Sequence, residues 1–239
     1  MRYKVIFVPF LLVVIALCGY ANLNAEGTES SSFLEPSPQW VVNLSEAKEA
    51  RQLFIVAAYA ESTAWISMHE KDEAGGWNMI MSTPGFIGRD GLGKTKEGDH
   101  KTPVGVYSFN RAFGIADFFD CAIPYVKVDS DSYWSGDNRE GRHYNELVSL
   151  KDYPDLDIKN SEHIIDYSLE YQHCLNISYN KDGIPGLGSA IFLHCLGPRK
   201  PFTGGCVAIP QDQMKRVLEN VLPDCVVVID SLGNLGGSF

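Results

Sequence analysis

The sequence predicts a mainly β domain, a sandwich or a closed barrel-like sheet with one or two short helices. Short runs rich in β-branched and aromatic residues recur along the chain, divided by clusters of Gly, Pro, Asp and Lys. Only two stretches read as helix, and no internal repeat interrupts the pattern. About 200 residues remain once the termini are set aside, enough for one domain with a sizeable core.

The first group of strands is 53–59 (LFIVAAY), 64–69 (AWISMH), 77–82 (WNMIMS) and 105–109 (GVYSF). The second is 122–128 (AIPYVKV), 174–179 (CLNISY), 190–194 (AIFLH) and 225–229 (CVVVI). Their spacing suggests mostly antiparallel pairing. A short helix is expected over 45–52, with Ser45 as its cap and Glu46 and Glu49 early in it. A stronger one is expected over 211–222. There Met214, Val217, Leu218 and Val221 share one face, and Pro223 stops the run.

The N-terminus reads as an export signal over 1–25. Arg2 and Lys4 precede an apolar run that is interrupted by Pro9 and too short to span a bilayer, and Ala25 offers a cleavage point. The rival is a lipoprotein signal that uses Cys18, although Leu17 stands where a small residue is wanted. A Ser-, Glu- and Pro-rich tether follows over 26–44, then a folded domain over 45–231 and a tail over 232–239. No later segment is apolar enough to cross a membrane, so the expected location is the periplasm or cell envelope.

The chain has 20 basic and 30 acidic residues; losing Arg2 and Lys4 leaves 18 against 30, a net charge of −12. That balance excludes nucleic acid as a partner, which needs a basic surface. A monomer is expected. Of six cysteines, Cys121, Cys174, Cys195, Cys206 and Cys225 follow the signal. An odd number leaves at least one thiol unpaired, and parity does not say which.

The chemistry concentrates in 189–210 (SAIFLHCLGPRKPFTGGCVAIP), where an apolar run ends in His194 and Cys206 follows two glycines. A thiol beside exposed backbone N–H groups, with an imidazole in reach, suits thiolate acyl transfer. Strand alternation puts His194 on one face with Phe192, and Leu193 with Cys195 on the other. If Cys206 lies beside His194, Cys195 points away, as a core thiol or the partner of another cysteine. A zinc site on His194, Cys195 and Cys206 fails on that alternation and lacks a fourth ligand. Gly204 and Gly205 allow backbone that a Cβ would obstruct, so their N–H groups and that of Cys206 are candidate oxyanion donors. Read alone, the same pair is also what two packed core residues would give.

Three blocks together resemble the L,D-transpeptidase catalytic domain (the YkuD-type family). IFLHC followed by TGGCVAIP is similar to its active-site segment, a His strand leading to Ser/Thr-x-Gly-Cys. Glu97 to Tyr107 (EGDHKTPVGVY) is similar to its EGD-x-K/R-T-P-x-G-x-Y/F segment. Trp134 to Asn145 (WSGDNREGRHYN) is similar to the W-x-x-D…YN region of one branch. The blocks run from about Gly91 to Pro210, most of the folded part.

The resemblance implies an exported enzyme acting on peptidoglycan tetrapeptide stems. Cys206 would be the nucleophile, its ordinary pKa of about 8.5 lowered by an imidazolium and converging N–H dipoles. His194 would be the base, oriented by a backbone carbonyl, here that of Cys195. Attack on the third residue would release D-alanine and leave a thioester, which an amine from another stem resolves into a 3→3 cross-link. Water in place of the amine would give an L,D-carboxypeptidase, and a silent wall-binding module is the alternative outside enzymes. No metal or organic cofactor is implied. Thr203, Arg199, Tyr144 and Asn145 are candidate substrate-binding residues, with Arg142 and Lys200 as further cations. The loop from His194 to Thr203 is shorter than in the better-known branch. Val207 and Ala208 stand where many members carry a hydrophobic residue and then Arg or Asn, so recognition of the donor peptide must use other groups.

Overall fold

The computed structural model describes residues 34–117, 120–198 and 200–238. The expected signal, Cys18 and most of the tether lie outside the described residues. The first strands are β1 (Glu35–Pro36), β2 (Gln52–Ala58), β3 (Thr63–Lys71), β4 (Trp77–Phe86), β5 (Gly105–Gly114) and β6 (Tyr125–Lys127). There follow β7 (Ser132–Trp134), β8 (Leu147–Ser149), β9 (Glu162–His163), β10 (Cys174–Ile177), β11 (Phe192–Cys195), β12 (Val207–Ile209) and β13 (Val226–Ser231). The α-helices are α1 (Gln39–Val42) and α2 (Gln211–Asn220).

Eight strands run in the order β4, β12, β11, β10, β5, β13, β2, β3, and β3 pairs back onto β4, closing the sheet. The predicted closed, mainly β architecture is therefore present. Most pairs are antiparallel, but β11–β12, β13–β2 and β5–β6 are parallel. The closure at β12–β4 rests on one residue pair, Ala208 with Phe86. A separate sheet, β8-β7-β9, brings Trp134 and Glu162 side by side.

Strand β2 is buried along its whole length because both of its faces are covered. Phe54, Val56 and Ala58 join the main core with Ile66, Leu175, Leu193, Val207 and Ile209. Leu53, Ile55 and Ala57 join a flanking core with Val41, Trp77, Leu232 and Leu235. The folded body thus reaches past both expected bounds: residues from the end of the tether and from the tail pack onto it.

The face of α2 is as the periodicity predicts, with Met214, Val217 and Leu218 fully buried in the main core. Each such side chain contributes roughly 1.5–3 kcal/mol on leaving water. The helix ends at Asn220 rather than 222 because buried Gln52 takes over its terminus. Its Nε2 donates to Asn220 O (2.9 Å) and its Oε1 accepts from Leu222 N (2.8 Å). The expected helix over 45–52 is only a 3-10 turn, Glu46–Lys48. The Ser45 hydroxyl bonds Glu46 instead of capping, and Gln52 is drawn into β2. A third, aromatic core surrounds Cys206, with Trp134 edge-on to Phe192 at 4.7 Å and Phe113 stacked on Trp134 at 5.6 Å. Among the described residues no helix is long and apolar enough to cross a membrane.

Candidate active site

Strand β11 delivers His194 and β12 begins directly after Cys206, with the two strands parallel and Leu193 opposite Val207. Alternation separates the side chains as the sequence implies. Phe192 and Cys206 lie in the aromatic core, whereas Leu193, Cys195, Val207 and Ile209 lie in the main core. Cys195 turns away, its sulfur 3.8 Å from His173 O. Cys206 and His194 both line a cavity of about 790 Å³.

The His194 Nδ1–H donates to the backbone carbonyl of Cys195 at 2.8 Å, the carbonyl that the resemblance implies. A carbonyl only accepts, so this bond fixes the neutral ring's proton on Nδ1 and leaves the lone pair on Nε2. Tyr171 packs edge-on against the ring at 5.3 Å. Burial holds the His194 pKa below its ordinary value, against the opposing pull of the Cys195 carbonyl and Glu170.

Cys206 is a buried, free thiol. It donates to Ala190 O at 3.1 Å and accepts from Phe192 N–H at 3.3 Å, rather than bonding His194. Burial pushes its pKa up to about 12, with the Glu162 carboxylate acting the same way and the Phe192 N–H and Lys94 opposing. The resting pair is therefore a neutral thiol and a neutral imidazole. This departs from the expectation of a thiolate beside an imidazolium, because desolvation disfavours the charged form of each group.

The turn before Cys206 is closed by Thr203, whose hydroxyl donates to Cys206 O (2.7 Å) and accepts from Gly205 N–H (3.1 Å). Thr203 thus shapes the turn ahead of Cys206. Gly205 N–H is already engaged, which removes it from the expected oxyanion donors; the Gly204 and Cys206 N–H groups carry no such turn bond. Gly205 has φ +145°, and a Cβ there would lie 2.9 Å from Lys101 O. Buried Thr102 ties the EGD-containing block to this turn. Its Oγ1 donates to Gly205 O (2.7 Å) and accepts from Gly88 N (2.8 Å). Asp99 is a scaffold group: burial alone would raise its pKa, but N–H donors from Thr95 and Lys96, with Lys94, bring it down to about 2.

The other expected residues divide. Tyr144 lines the cavity and donates its hydroxyl to Glu97, which also accepts from Ser189 Oγ at 2.8 Å. Asn145 is not a substrate-binding group, because its amide makes four internal hydrogen bonds. It accepts from Trp134 Nε1 (2.8 Å) and Ala190 N (2.9 Å), and it donates to Tyr179 O (3.1 Å) and Asn180 O (2.9 Å). Arg142 is ion-paired with Asp155, and Lys200 lines the cavity with its ammonium 5.8 Å from the Phe202 ring. Arg199 lies outside the described residues.

Sequence reasoning missed Glu162. It lines the cavity, accepts from Tyr171 OH at 2.9 Å, and is pushed up to about 7 by burial, with Tyr171 pulling it down and the Glu97 charge adding to the rise. No motif marks it, since its position depends on how β9 pairs with β7. Thr102 was at least visible inside a motif. The role of Ala190 carries no sequence signal, because it lies in an unusual φ of +55°.

No curated protein matches the chain. Among solved structures it is similar to the helical cell shape determining protein Pgp2 from Campylobacter jejuni, at 17% identity and a TM-score of 0.41, over 81% of this chain and 54% of that one. It is also similar to the Ldtfm–avibactam carbamoyl enzyme, at 14% identity and a TM-score of 0.35, over 76% of this chain and 49% of that one. The chain spans about half the length of these structures. The family model for the L,D-transpeptidase catalytic domain matches residues 55–229, which include both His194 and Cys206. The chain belongs to the YkuD family of L,D-transpeptidase catalytic domains.

Proposed function

We propose that the protein is an exported cysteine L,D-transpeptidase that acts on peptidoglycan tetrapeptide stems in the cell envelope. The observation that carries this reading is one cavity lined by a free Cys206 and by His194, whose Nδ1–H is held by the Cys195 carbonyl. Family membership supports the reaction type. The free thiol argues against a silent wall-binding module with Cys206 locked in a disulfide.

A neutral resting pair calls for general-base activation rather than a preformed thiolate. The Cys206 side chain turns from Ala190 O toward His194, and Nε2 takes the thiol proton as sulfur attacks the carbonyl of the third stem residue. The oxyanion draws on the N–H groups of Gly204 and Cys206, each key donor contributing roughly 3–4 kcal/mol in acyl transfer. The C–N bond then breaks, D-alanine leaves with the proton from His194, and a thioester remains. An amine from a second stem attacks it. That amine's proton passes through His194 back to sulfur as the C–S bond breaks.

The test is incubation of the purified domain with disaccharide-tetrapeptide, followed by mass spectrometry of the products. Cross-linked dimers that disappear in Cys206→Ala are expected. Tripeptide alone would replace transfer by hydrolysis at the same site. Neither product, with Cys206 inert to a thiol reagent, would overturn the enzymatic reading.

A further inference from the structure

The thiol of Cys206 is held by a backbone segment in a conformation its own residue disfavours. Ala190 sits at φ +55°, where an L-residue with a Cβ is strained by roughly 1–2 kcal/mol. Its carbonyl accepts the Cys206 S–H at 3.1 Å, and its N–H donates to Asn145 Oδ1 at 2.9 Å. Asn145 is itself immobilised, with both amide protons and both acceptor positions occupied. Its own backbone is left-handed at φ +62°, and its N–H is fixed to Ser135 O at 2.8 Å. Trp134, which shares the Asn145 oxygen, packs on Phe192 beside the thiol.

We propose that Asn145 is a positioning residue for the Cys206 nucleophile, acting through the strained Ala190 peptide. The bond from Ala190 N–H to Asn145 offsets the strain at φ +55°. Without it the peptide turns toward an extended or right-handed conformation. That change in φ swings the Ala190 carbonyl off the sulfur, because rotation about the Ala190 N–Cα bond re-aims the carbonyl relative to the N–H. The thiol then loses its fixed starting orientation in the cavity, from which it must swing toward His194. It also loses the acceptor that stabilises its protonated form, so proton loss becomes easier while alignment worsens. The inference rests on Cys206 being the nucleophile of the proposed reaction, and it adds what orients that nucleophile.

The experiment measures the pH dependence of iodoacetamide labelling of Cys206, followed by mass spectrometry of the Cys206 peptide, so the other cysteines do not interfere. Folding of each variant is checked by thermal melting. In Asn145→Leu the labelling midpoint should fall by about half a pH unit or more. With tetrapeptide substrate, kcat should fall about tenfold or more while KM stays within about twofold. Adding Ala190→Gly to Asn145→Leu should recover several-fold of the lost kcat and return the midpoint toward wild type, because glycine adopts positive φ without strain. Loss of the bonds to Trp134, Tyr179 and Asn180 alone would not be rescued in this way.

If Asn145→Leu does not fold, Ala190→Val decides. A β-branched residue is disfavoured at positive φ, so this variant should shift the labelling midpoint with Asn145 intact. A folded Asn145→Leu with a wild-type profile, an effect not rescued by Ala190→Gly, or a folded Ala190→Val with an unchanged profile would each overturn the proposal. If wild-type protein turns over no stem peptide, the proposed function fails while the labelling profile still tests Asn145.

Discussion

Replacing Glu162 with Gln should make the fold more stable at alkaline pH and barely alter it in mild acid. The structure raises this carboxyl from its ordinary 4.5 to about 7, chiefly by burial. A pKa raised in the folded state favours folding only while the group is protonated. That advantage is complete below about 4.5 and is lost as pH rises through about 7. The rise is worth 1.36 kcal/mol for each pKa unit, so ionised Glu162 costs the fold about 3 kcal/mol at most. The side chain borders the cavity, and water there screens the charge, which brings the expected cost nearer to 1–2 kcal/mol. Gln keeps an oxygen to accept the Tyr171 hydroxyl bond and removes the charge. Urea unfolding of both proteins at about pH 5 and about pH 8.5 measures the difference. The gap between them should widen by about 1–2 kcal/mol at the higher pH. Equal gaps at the two pH values would refute the argument that a half-buried carboxylate is being ionised inside the cavity.

Four further outcomes follow from the geometry. Because the thiol is raised to about 12, the alkylation rate of Cys206 should still be climbing above about pH 9; a plateau below about pH 8 would show a preformed thiolate. Gly205→Ala should destabilise the fold by about 1–3 kcal/mol through the clash with Lys101 O, whereas Gly204→Ala meets open space and should change melting little. Thr102→Val strands the buried Gly88 N–H and should cost about 1–3 kcal/mol in urea unfolding, with Thr102→Ser recovering most of it. His69 is kept neutral by burial, its pKa lowered to about 4 while it bonds Ser37 and Ser67 at 2.8 Å. Stability should therefore be lost as pH falls from about 6.5 toward 4, by up to about 3 kcal/mol, and His69→Gln should flatten that fall.

Most of the closed sheet was legible because its longer strands alternate; β12, with three residues, was not. Leu53 to Ala58 send successive side chains to two different cores, and 211–222 shows the buried face of α2. The short strands were not. Each of β7, β8 and β9 has three residues or fewer, below the length at which a period of two can be read, so their pairing depends on distant partners. The identity of the central residues came from local spacing, since His194 and Cys206 sit at the ends of adjacent strands. Their protonation did not, because it depends on desolvation by Trp134, Tyr171 and Phe192, which the chain brings in from elsewhere. Tyr144 and Asn145 were grouped as neighbours in one motif. The structure gives them opposite roles, one on the cavity wall and the other locked behind it.

The parallel pairing of β11 with β12 uncouples the reach of the loop from the register of His194 and Cys206. A parallel pair cannot be joined by a tight hairpin, so residues 196–206 must cross over the end of the sheet. The ladder from Leu193–Val207 to Cys195–Ile209 fixes the offset between imidazole and thiol whatever the length of that crossover. The same crossover places Gly197, Lys200 and Phe202 at the cavity. Residues inserted or removed ahead of Thr203 would therefore reshape the lip of the cavity while leaving imidazole and thiol in step. The loop here is a variable mouth on a constant frame.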